Sequence, residues 1–256
     1  MKLSIVMPAR NEEGCIIPTL ERYTSILSEH LPEYEIVVVD DGSTDATADL
    51  LSAFSQQHPE IVPLTNTGRH GFGMAIRFGL AHITGDAVAI VMADGSDSPD
   101  DMLKYYWKLL EGYDCVFGSR FIQGGRVIDY PKHKLLLNRM ANLFIKLLFG
   151  LGFNDITNAF KCYRREVVAG IQPLISPHFN LTVEMPLKAL VRGYSYAVVP
   201  ITWTNRAAGV SKLKIKEMGS RYLFIVLYLW LEKHLARGDY HRAVVAPTEK
   251  VTKINA

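Results

Sequence analysis

Short apolar runs alternate along the chain with segments whose apolar residues recur at helical spacing. The apolar runs predict buried strands at Leu3–Pro8, Glu35–Asp41, Ile61–Leu64, Ala87–Ala93 and Cys115–Gly118. The helical spacing predicts helices at Asn11–His30, Ser43–Phe54, Phe72–Ile83 and Pro99–Leu110, with Ser43 or Thr44 as the N-cap of the second. Strands that are continuously apolar and alternate with helices predict an α/β fold, in which helices flank a mostly parallel central sheet.

Polar residues follow three of the predicted strands. The first strand runs into Pro8–Glu13, the second into Asp40–Asp45 and the fourth into Asp94–Asp97. Because open parallel sheets bind ligands beyond the C-terminal ends of their strands, we expect these three segments to converge on one site. Asp and Ser also cap helices and form turns at such junctions, so the competing interpretation is purely structural.

Composition narrows the class of protein. The chain has 256 residues, enough for one large α/β domain or two small ones. Its net charge of +2 gives no bulk field that favours nucleic acid as a partner. Cys15, Cys115 and Cys162 are far apart and show neither a disulfide framework nor zinc spacing, which predicts a reducing cytoplasm. The apolar run at the N-terminus is too short for a signal peptide.

The chemistry of the three polar segments suggests a nucleotide diphosphate as ligand. No dinucleotide-binding Gly-x-Gly-x-x-Gly follows the first strand, and no P-loop motif occurs. Carboxylates after a strand are hard oxygen ligands for Mg or Mn, which commonly bridge a diphosphate. Acidic groups after the second strand could accept hydrogen bonds from a ribose or a base, and the glycine-rich Thr67–Gly73 could pass close to a phosphate or sugar.

Six stretches resemble the GT-A glycosyltransferases of family 2 and occur in the same order. They read SIVMPARNEEG, EIVVVDDGSTDATAD, MADGSDSPDD, GSRFIQGG, DITNAFKCYRREV and NRAAGVSKLKIKEM. The similarity spans roughly residues 3–235. Asp155–Lys161 and Arg206–Lys212 narrow the resemblance to the branch that makes dolichyl- or polyprenyl-phosphate mannose.

The resemblance implies the residues that bind a nucleotide-sugar donor. They are Pro8, Arg10, Glu12, Asp40, Asp41, Arg69, Gly71, Ala93 and Asp94, with Asp41 facing the base or ribose. Asp94 is implied as the principal ligand of Mg or Mn, with Ser96 and Asp97 as further ligands. Met92 stands where the branch usually has the first Asp of Asp-x-Asp, and a thioether is a poor ligand for a hard cation. Either Asp94 acts with the diphosphate, Ser96 and waters, or Asp97 supplies the second carboxylate.

The resemblance also implies inverting transfer of a sugar, most often mannose from GDP-mannose, to a polyprenyl or dolichyl phosphate. UDP-glucose is the next donor to consider. Such an acceptor is already an anion, so it needs a basic cradle and no general base. The cradle is assigned to Arg120, Arg206 and Lys212, with Arg139 and Lys161 in second rank. Asp94, Arg120, Arg206 and Lys212 are the expected catalytic residues, although each cation could instead be an ordinary solvated one.

Two apolar segments bear on membrane association. Lys134–Phe149 predicts an amphipathic helix with cationic positions, and Tyr222–Leu231 is too short to cross a bilayer. They are either core helices or a platform on the cytoplasmic leaflet, and we expect peripheral association there. The predicted organisation is a GT-A catalytic domain at 1–212, an amphipathic membrane-interface region at 213–238 and a flexible tail at 239–256.

Two other functions remain open at this point. The first is transfer to a hydroxyl group in surface polysaccharide synthesis, which requires a base, and Glu184 is the candidate. The second is a weakly catalytic protein that binds a nucleotide sugar, which Met92 in the metal loop would suit.

Overall fold

A central sheet of seven strands forms the body of the protein. The structure is a computed structural model that describes residues 1–205 and 215–242. Its strands are β1 (Leu3–Ala9), β2 (Tyr34–Asp40), β3 (Ile61–Thr65), β4 (Ala87–Ile90), β5 (Cys115–Ser119), β6 (Arg126–Ile128), β7 (Lys161–Arg164), β8 (Tyr196–Pro200) and β9 (Thr202–Thr204). Its helices are α1 (Ile16–His30), α2 (Thr47–Ser55), α3 (Phe72–Leu80), α4 (Pro99–Leu110), α5 (Lys132–Phe149), α6 (Arg165–Gly170), α7 (Leu181–Val191) and α8 (Ile215–Leu235).

The strand order explains where ligands can reach the sheet. The order is β3-β2-β1-β4-β7-β5-β8, and β6 pairs with β9 in a separate two-stranded sheet. Every neighbouring pair in the large sheet is parallel except those made by β7, which runs antiparallel to β4 and β5. The prediction of a mostly parallel sheet flanked by helices is therefore confirmed. Because β7 is reversed, its first residue, Lys161, lies beside Ile90 and Phe117 at the edge where β4 and β5 approach their ends.

Side chains that alternate along the strands build two separate cores. Leu3, Ile5 and Met7 of β1 pack with α1, α2 and α4 on one face of the sheet. Val6, between them in sequence, packs with α3, α5, α6, α7 and α8 on the other face. Burial on both faces is the reason why the strands are apolar throughout.

Several predicted boundaries differ from the structure. The first helix begins at Ile16 rather than Asn11, and the second begins at Thr47 with Ala46 as its N-cap. The prediction that Ser43 or Thr44 caps α2 is wrong, because both residues form hydrogen bonds with neighbouring loops instead. The strands β6 to β9 were not predicted. β6, β7 and β9 are short and begin or end with charged or hydroxyl residues, whereas β8 has an apolar run, YAVVP, that was not assigned.

Helix α5 turns its apolar side outward. Its Asn142 is buried and hydrogen-bonded to Thr157, with the Asn142 Nδ2 2.9 Å from Thr157 Oγ1 and the Asn142 Oδ1 3.1 Å from the Thr157 nitrogen. The exposed positions are Leu136, Leu137, Met140, Leu143, Phe144 and Leu147. The helix is amphipathic as predicted, with most of its large apolar residues exposed.

Helix α8 also has an exposed apolar side. Its Ile225, Val226 and Leu229 are buried in the core, whereas Leu223, Phe224, Leu227, Leu231 and Leu235 are exposed. Within residues 1–205 and 215–242, no helix is long and apolar enough to cross a membrane. The exposed sides of α5 and α8 are called the apolar platform below.

A buried ion pair fastens α8 to α7. Arg192 Nε lies 3.0 Å from Glu232 Oε1, and the exposed fractions of the two side chains are 6% and 4%. Arg192 Nη1 also donates to the carbonyl oxygens of Gly170 and Gln172, at 2.8 and 3.0 Å. At the start of the predicted tail, the Arg242 nitrogen donates to Arg192 O and its side chain pairs with Asp114. The remainder of that tail lies outside the described residues.

We predict that Arg192→Met destabilises the protein by about 3–5 kcal/mol, because it leaves Glu232 as an uncompensated buried charge. Urea denaturation of the full chain measures the change. The matched control is Arg242→Gln, whose side chain is 43% exposed. This control should cost at most about 1 kcal/mol, as partly exposed pairs do. Equal losses in the two variants would contradict the structural importance of the buried pair.

Candidate functional site

The loops that follow β1 and β2 are tied together by reciprocal hydrogen bonds. The Asn11 nitrogen donates to Ser43 Oγ at 2.9 Å, and the Thr44 nitrogen donates to Asn11 Oδ1 at 2.7 Å. The Ala46 nitrogen donates to Glu13 Oε2 at 3.0 Å. The ends of these two strands therefore converge as predicted. Backbone N–H groups of one loop donate hydrogen bonds to side-chain oxygens of the other. Of the predicted donor residues nearby, Arg10 is exposed and Pro8 and Glu12 are half-buried.

Asp40 and Asp41 are both buried and both bind the surrounding backbone. Asp40 Oδ1 accepts hydrogen bonds from the nitrogen and hydroxyl of Ser43. Asp41 Oδ1 accepts from Asn66 Nδ2 at 2.7 Å, and its Oδ2 accepts from the Gly71 nitrogen at 2.7 Å. His70 Nδ1 lies 3.2 Å from Asp41 Oδ1. Asp41 thus positions the glycine-rich loop, and its contact with a base or ribose stays a prediction.

The glycine-rich loop passes close to another segment of the chain. Gly71 has a φ of +141°, and a Cβ on it would lie 2.6 Å from Pro177 O. No side chain fits at this position without displacing the backbone, which explains the glycine. Arg69, two residues earlier, is exposed. The glycine-rich loop thereby places Arg69 at the rim of the site, and Asp41 holds the loop at Gly71.

The loop after β4 holds the predicted metal ligands. Asp94 is 8% exposed, and its Oδ1 accepts a hydrogen bond from the Ser96 nitrogen at 3.1 Å. Ala93 O accepts from Thr19 Oγ1, which anchors this loop to α1. Asp97 is 2% exposed and its Oδ2 accepts from the Met92 nitrogen at 3.0 Å. One oxygen of Asp97 is therefore engaged in closing the loop.

Burial of Asp97 changes its acidity. Desolvation raises the pKa of this carboxyl to about 7, the nearby negative charge of Asp94 adds to the increase, and the Met92 N–H opposes it. A raised pKa means that a proton competes with a cation for this carboxyl near neutral pH. Because its Oδ2 also accepts from the Met92 nitrogen, Asp97 is a weak candidate for the second metal ligand.

The residues of this loop fit a divalent cation only if other ligands complete its coordination. In the described ranges, no three His, Cys, Asp or Glu side chains come together in a way that could hold a metal ion. Asp94 offers a hard oxygen ligand at the strand end, with the Ser96 hydroxyl two residues away. Diphosphate oxygens and waters would have to supply the rest of the coordination shell.

A short strand connects this loop to the segment that leads toward Arg206. The Thr204 nitrogen donates to Ser96 O at 3.1 Å, and Asp97 forms an antiparallel bridge with Trp203. The Trp203 ring packs on Tyr130 with 4.8 Å between centroids. The loop after β4 is therefore held from both sides, by α1 and by β9. Arg206 and Lys212 themselves lie outside the described residues, so their roles stay predictions.

Arg120 is the centre of a buried charge cluster. Its Nε and Nη2 lie 2.8 and 2.7 Å from the two carboxylate oxygens of Asp155, and its backbone nitrogen lies 2.9 Å from Asp155 Oδ2. The exposed fractions of the two side chains are 5% and 0%. Burial alone would lower the pKa of Arg120, but the charge and hydrogen bonds of Asp155 raise it. Arg120 is thus a fixed, permanently charged group.

Arg139 joins Arg120 at one aromatic ring. The Arg139 guanidinium carbon lies 4.4 Å from the centre of the Phe121 ring, and that of Arg120 lies 5.1 Å from the same centre. Arg139 is exposed on α5, whereas Arg120 is buried after β5. Two of the predicted acceptor-binding cations are therefore neighbours, although they are 19 positions apart in the chain.

Lys161 lies beneath this cluster and has little access to solvent. It is 1% exposed, and its Nζ donates to Thr182 O at 3.2 Å. Burial lowers the pKa of this lysine to about 7, with Asp155 opposing the decrease and Arg120 adding to it. A direct contact between Lys161 and a ligand would need that side chain to move, so its predicted role at the acceptor phosphate remains a prediction.

Glu184, the candidate base of the hydroxyl-transfer alternative, is committed elsewhere. It is fully buried, and its oxygens accept hydrogen bonds from the nitrogens of Ile175 and Ser176 at 2.8 and 2.7 Å. Lys188 Nζ lies 2.8 Å from Glu184 Oε1. A carboxylate held by three donors in the core cannot receive a proton from an acceptor, so the assignment of Glu184 as base is wrong.

Two residues of the site were missed in the sequence. Asp155 holds Arg120, and Phe121 brings Arg120 and Arg139 together. A signal for Asp155 exists, because it is the only charged residue between Leu147 and Phe160. A lone acid in an apolar stretch needs a buried cation as partner. The one signal for Phe121 is its place directly after Arg120 in the stretch GSRFIQGG.

Comparison with known proteins assigns the chain to a family. The family model described as "Glycosyl transferase family 2" matches residues 4–171. Polyprenol monophosphomannose synthase of Mycolicibacterium smegmatis is 32% identical over 215 residues, which cover 82% of this chain and 80% of the relative. Undecaprenyl-phosphate mannosyltransferase of Micrococcus luteus is 30% identical over 223 residues, which cover 83% of this chain and 88% of the relative.

Solved structures agree on the fold. Glucosyl-3-phosphoglycerate synthase from Mycobacterium tuberculosis, crystallised with Mn²⁺, UDP-glucose and phosphoglyceric acid, matches with a TM-score of 0.67 and 20% identity. The match covers 91% of this chain and 79% of that one. Fold and site together define a glycosyltransferase of the GT-A type. The chain belongs to glycosyl transferase family 2.

We predict that Asp97→Asn stabilises the protein more at high pH than at low pH when divalent metal is absent. A raised pKa in the folded state means that wild-type stability is lost as the pH rises from the ordinary value of 3.8 to about 7. The asparagine has no such loss. Its advantage should therefore grow across this window by on the order of 1–4 kcal/mol and stay constant above it.

Urea denaturation at a series of pH values measures this difference, and Asp100→Asn is the control because Asp100 is exposed. A difference between Asp97→Asn and wild type that does not change with pH would show that Asp97 titrates normally in the folded protein.

Proposed function

We propose that the protein transfers mannose from a nucleotide sugar, GDP-mannose in the first instance, to a polyprenyl phosphate. The relatives from Mycolicibacterium smegmatis and Micrococcus luteus, which the chain matches over most of its length, are named for products and acceptors of this kind. The family assigns glycosyl transfer, and the names of these relatives support the choice of sugar and acceptor class.

The observation that supports a phosphate acceptor best is the pair of guanidinium groups at the Phe121 ring. Arg120 is locked by Asp155 through Nε and Nη2, and in the described chain its Nη1 donates no hydrogen bond. Arg139 reaches the same ring from α5 and is exposed. Two cations at one place, one rigid and one adjustable, suit a phosphate that arrives at the end of a lipid.

The position of Glu184 disfavours the hydroxyl-acceptor alternative. A hydroxyl acceptor needs a base to take its proton, and the one residue defended for that role is a structural ion pair in the core. A phosphate acceptor is already ionised, so the reaction needs none. Family membership favours turnover over the third interpretation, a weakly catalytic binding protein.

In this mechanism the phosphate oxygen of the acceptor attacks the anomeric carbon from the side opposite the nucleoside diphosphate, which inverts that carbon. Arg120 and Arg139, with Arg206 and Lys212, would offset the repulsion between the acceptor phosphate and the donor diphosphate. Asp94 and Ser96 would hold a divalent cation, which supplies a Lewis acid for the departing diphosphate. Solved structures of the same fold contain Mn²⁺ or Mg²⁺, which supports this assignment.

We further propose that the apolar platform rests on the cytoplasmic leaflet of the membrane. The exposed side of α5 offers Leu136, Met140, Leu143 and Leu147, and the helix carries Lys132, Lys134, Arg139 and Lys146 with no acidic residue. Exposed apolar residues in a cationic helix are typical of segments that lie in a lipid interface. Docking of this kind would bring the lipid phosphate to Arg139.

We predict that Asp94→Asn lowers mannose transfer by at least about two orders of magnitude, because it removes the best hard ligand of the metal loop. Met92→Asp should strengthen metal binding and so lower the Mn²⁺ concentration that gives half-maximal activity. Transfer from radiolabelled GDP-mannose to a short polyprenyl phosphate measures both effects. Normal activity of Asp94→Asn over the whole Mn²⁺ titration would refute the metal role.

We predict that Arg139→Ala raises the KM for polyprenyl phosphate by roughly one to two orders of magnitude and leaves the KM for GDP-mannose nearly unchanged. A charge-assisted contact with phosphate is worth about 1.5–3 kcal/mol, which corresponds to this factor. Arg139→Lys should restore only part of the affinity, because lysine lacks the bidentate fork.

Lys146→Ala provides the matched control for Arg139→Ala, since Lys146 lies two turns further along α5 and no described contact links it to the site. In detergent, Lys146→Ala should change the KM for polyprenyl phosphate and the KM for GDP-mannose by no more than about twofold. This small effect is expected when a charge that acts only at long range is removed. A donor KM that rises in Arg139→Ala while the acceptor KM stays constant would assign this cation to the nucleotide sugar instead.

A further inference from the structure

A pocket of about 520 Å³ adjoins the site described above and shares Arg69 with its rim. It is an open depression lined by the glycine-rich loop at Arg69, the segment from Ile175 to Asn180 before α7, and the first turns of α8 at Arg221 and Phe224. None of the described side chains that line it is acidic. The pocket is thus a basic depression at the end of α8 that faces the glycine-rich loop.

The wall of this pocket is firmly held. The Ile175 and Ser176 nitrogens donate to the Glu184 carboxylate, and the Met74 nitrogen donates to Pro177 O at 3.2 Å. Gly71 leaves room for Pro177 where any larger residue would collide with it. The segment before α7 therefore keeps its shape without a ligand, and the pocket is preformed.

Two buried polar side chains of this wall have no hydrogen-bond partner. Ser176 is 1% exposed and Asn180 is 4% exposed. Within residues 1–205 and 215–242, Ser176 Oγ and Asn180 Oδ1 find no donor or acceptor, and the Asn180 side chain does not cap α7 although it stands at its N-cap. Unpaired buried polar groups are rare in native proteins, and a pair of them in one pocket indicates a polar ligand.

The surroundings define the chemistry of that ligand. Arg69 and Arg221 line the pocket and favour a phosphate. An amide and a hydroxyl can both donate and accept hydrogen bonds, so their natural partner is a hydroxyl group. At the mouth, Phe224 is 62% exposed and belongs to the apolar platform. The ligand should therefore combine a phosphate, hydroxyl groups and an apolar part.

We propose that this pocket binds the headgroup of a bilayer phospholipid whose phosphodiester carries hydroxyl groups, as in phosphatidylglycerol. The phosphate lies between Arg69 and Arg221, the headgroup hydroxyls satisfy Ser176 and Asn180, and the acyl chains leave past Phe224 along the platform. This inference rests on the proposed docking at the membrane and adds to it a specific lipid contact, made by residues other than Arg120 and Arg139.

The test compares two lipids of equal charge. The full-length protein is mixed with phosphatidylcholine vesicles that contain either phosphatidylglycerol or the same fraction of phosphatidylmethanol, which has the phosphodiester charge without headgroup hydroxyls. Flotation measures the bound fraction. We expect about two- to tenfold tighter binding to phosphatidylglycerol, the factor that hydrogen bonds of ordinary strength provide.

The variants separate the hydrogen bonds from the charge. Asn180→Leu, and its combination with Ser176→Ala, should abolish the preference for phosphatidylglycerol while binding to phosphatidylmethanol persists. Because these changes remove unpaired polar groups, thermal stability should not fall, which excludes misfolding as the cause. Arg221→Gln should weaken binding to both vesicles severalfold. Arg237→Gln, beyond the opposite end of α8, is the matched control and should weaken binding to both less than Arg221→Gln does.

The other outcomes each overturn a stated part of the proposal. Equal binding of the wild type to both vesicles, or a preference that survives in Asn180→Leu/Ser176→Ala, refutes the headgroup site and leaves membrane docking intact. Binding of soluble glycerophosphoglycerol as tight as that of vesicles assigns the pocket to a soluble phosphodiester instead. A protein that transfers mannose in detergent but floats with neither vesicle contradicts both the docking and the headgroup site.

Discussion

The buried ion pair between Arg120 and Asp155 is the interaction on which the site depends. Asp155 binds the side chain of Arg120 through two oxygens and its backbone through a third contact, so the segment after β5 and the segment before β7 cannot separate. Phe121, Tyr130 and Arg139 are arranged around that guanidinium. A buried pair of this kind adds little net stability, because the two charges lose their hydration. The ion pair instead fixes the position of a permanent positive charge.

The reversed strand β7 is what allows this pair to form at the functional edge. In a fully parallel sheet the chain would enter β7 from the opposite edge, far from the ends of β4 and β5. Reversal makes the entry segment, with Asp155, cross the same edge as the polar loops. The sequence could not reveal this, because Lys161–Arg164 begins and ends with a charged residue and lacks the continuous apolar pattern of a buried strand. Lys161 is buried there only because the charge cluster surrounds it.

The pattern of apolar and polar residues along the chain predicted the features that depend on neighbouring residues alone. Continuous apolar runs located β1 to β5, and the polar ends of β1, β2 and β4 lie at one edge of the sheet as expected. The predictions that were wrong concern side chains whose hydrogen-bond partners the residue type does not identify. Ser43 and Thr44 look like caps, yet they bind Asp40 and Asn11; Glu184 looks available, yet three donors in the core hold it. The hydrogen bonds that form in the folded chain decide such cases, and residue type alone cannot.

The outward apolar side of α5 reverses the usual relation between position and tolerance to substitution. On most helices the exposed side accepts polar residues freely, whereas the buried side must stay apolar. Here the polar residue Asn142 is buried beside Ile145 and Phe149 and requires its amide for Thr157, while Met140, Leu143 and Leu147 face outward. Random mutagenesis of α5 should therefore show an unusual pattern of tolerated substitutions. A charged residue at an exposed position should impair function in the cell, and an aliphatic residue at Asn142 should impair folding. A map of tolerated substitutions would thus show the orientation of this helix without any structural measurement.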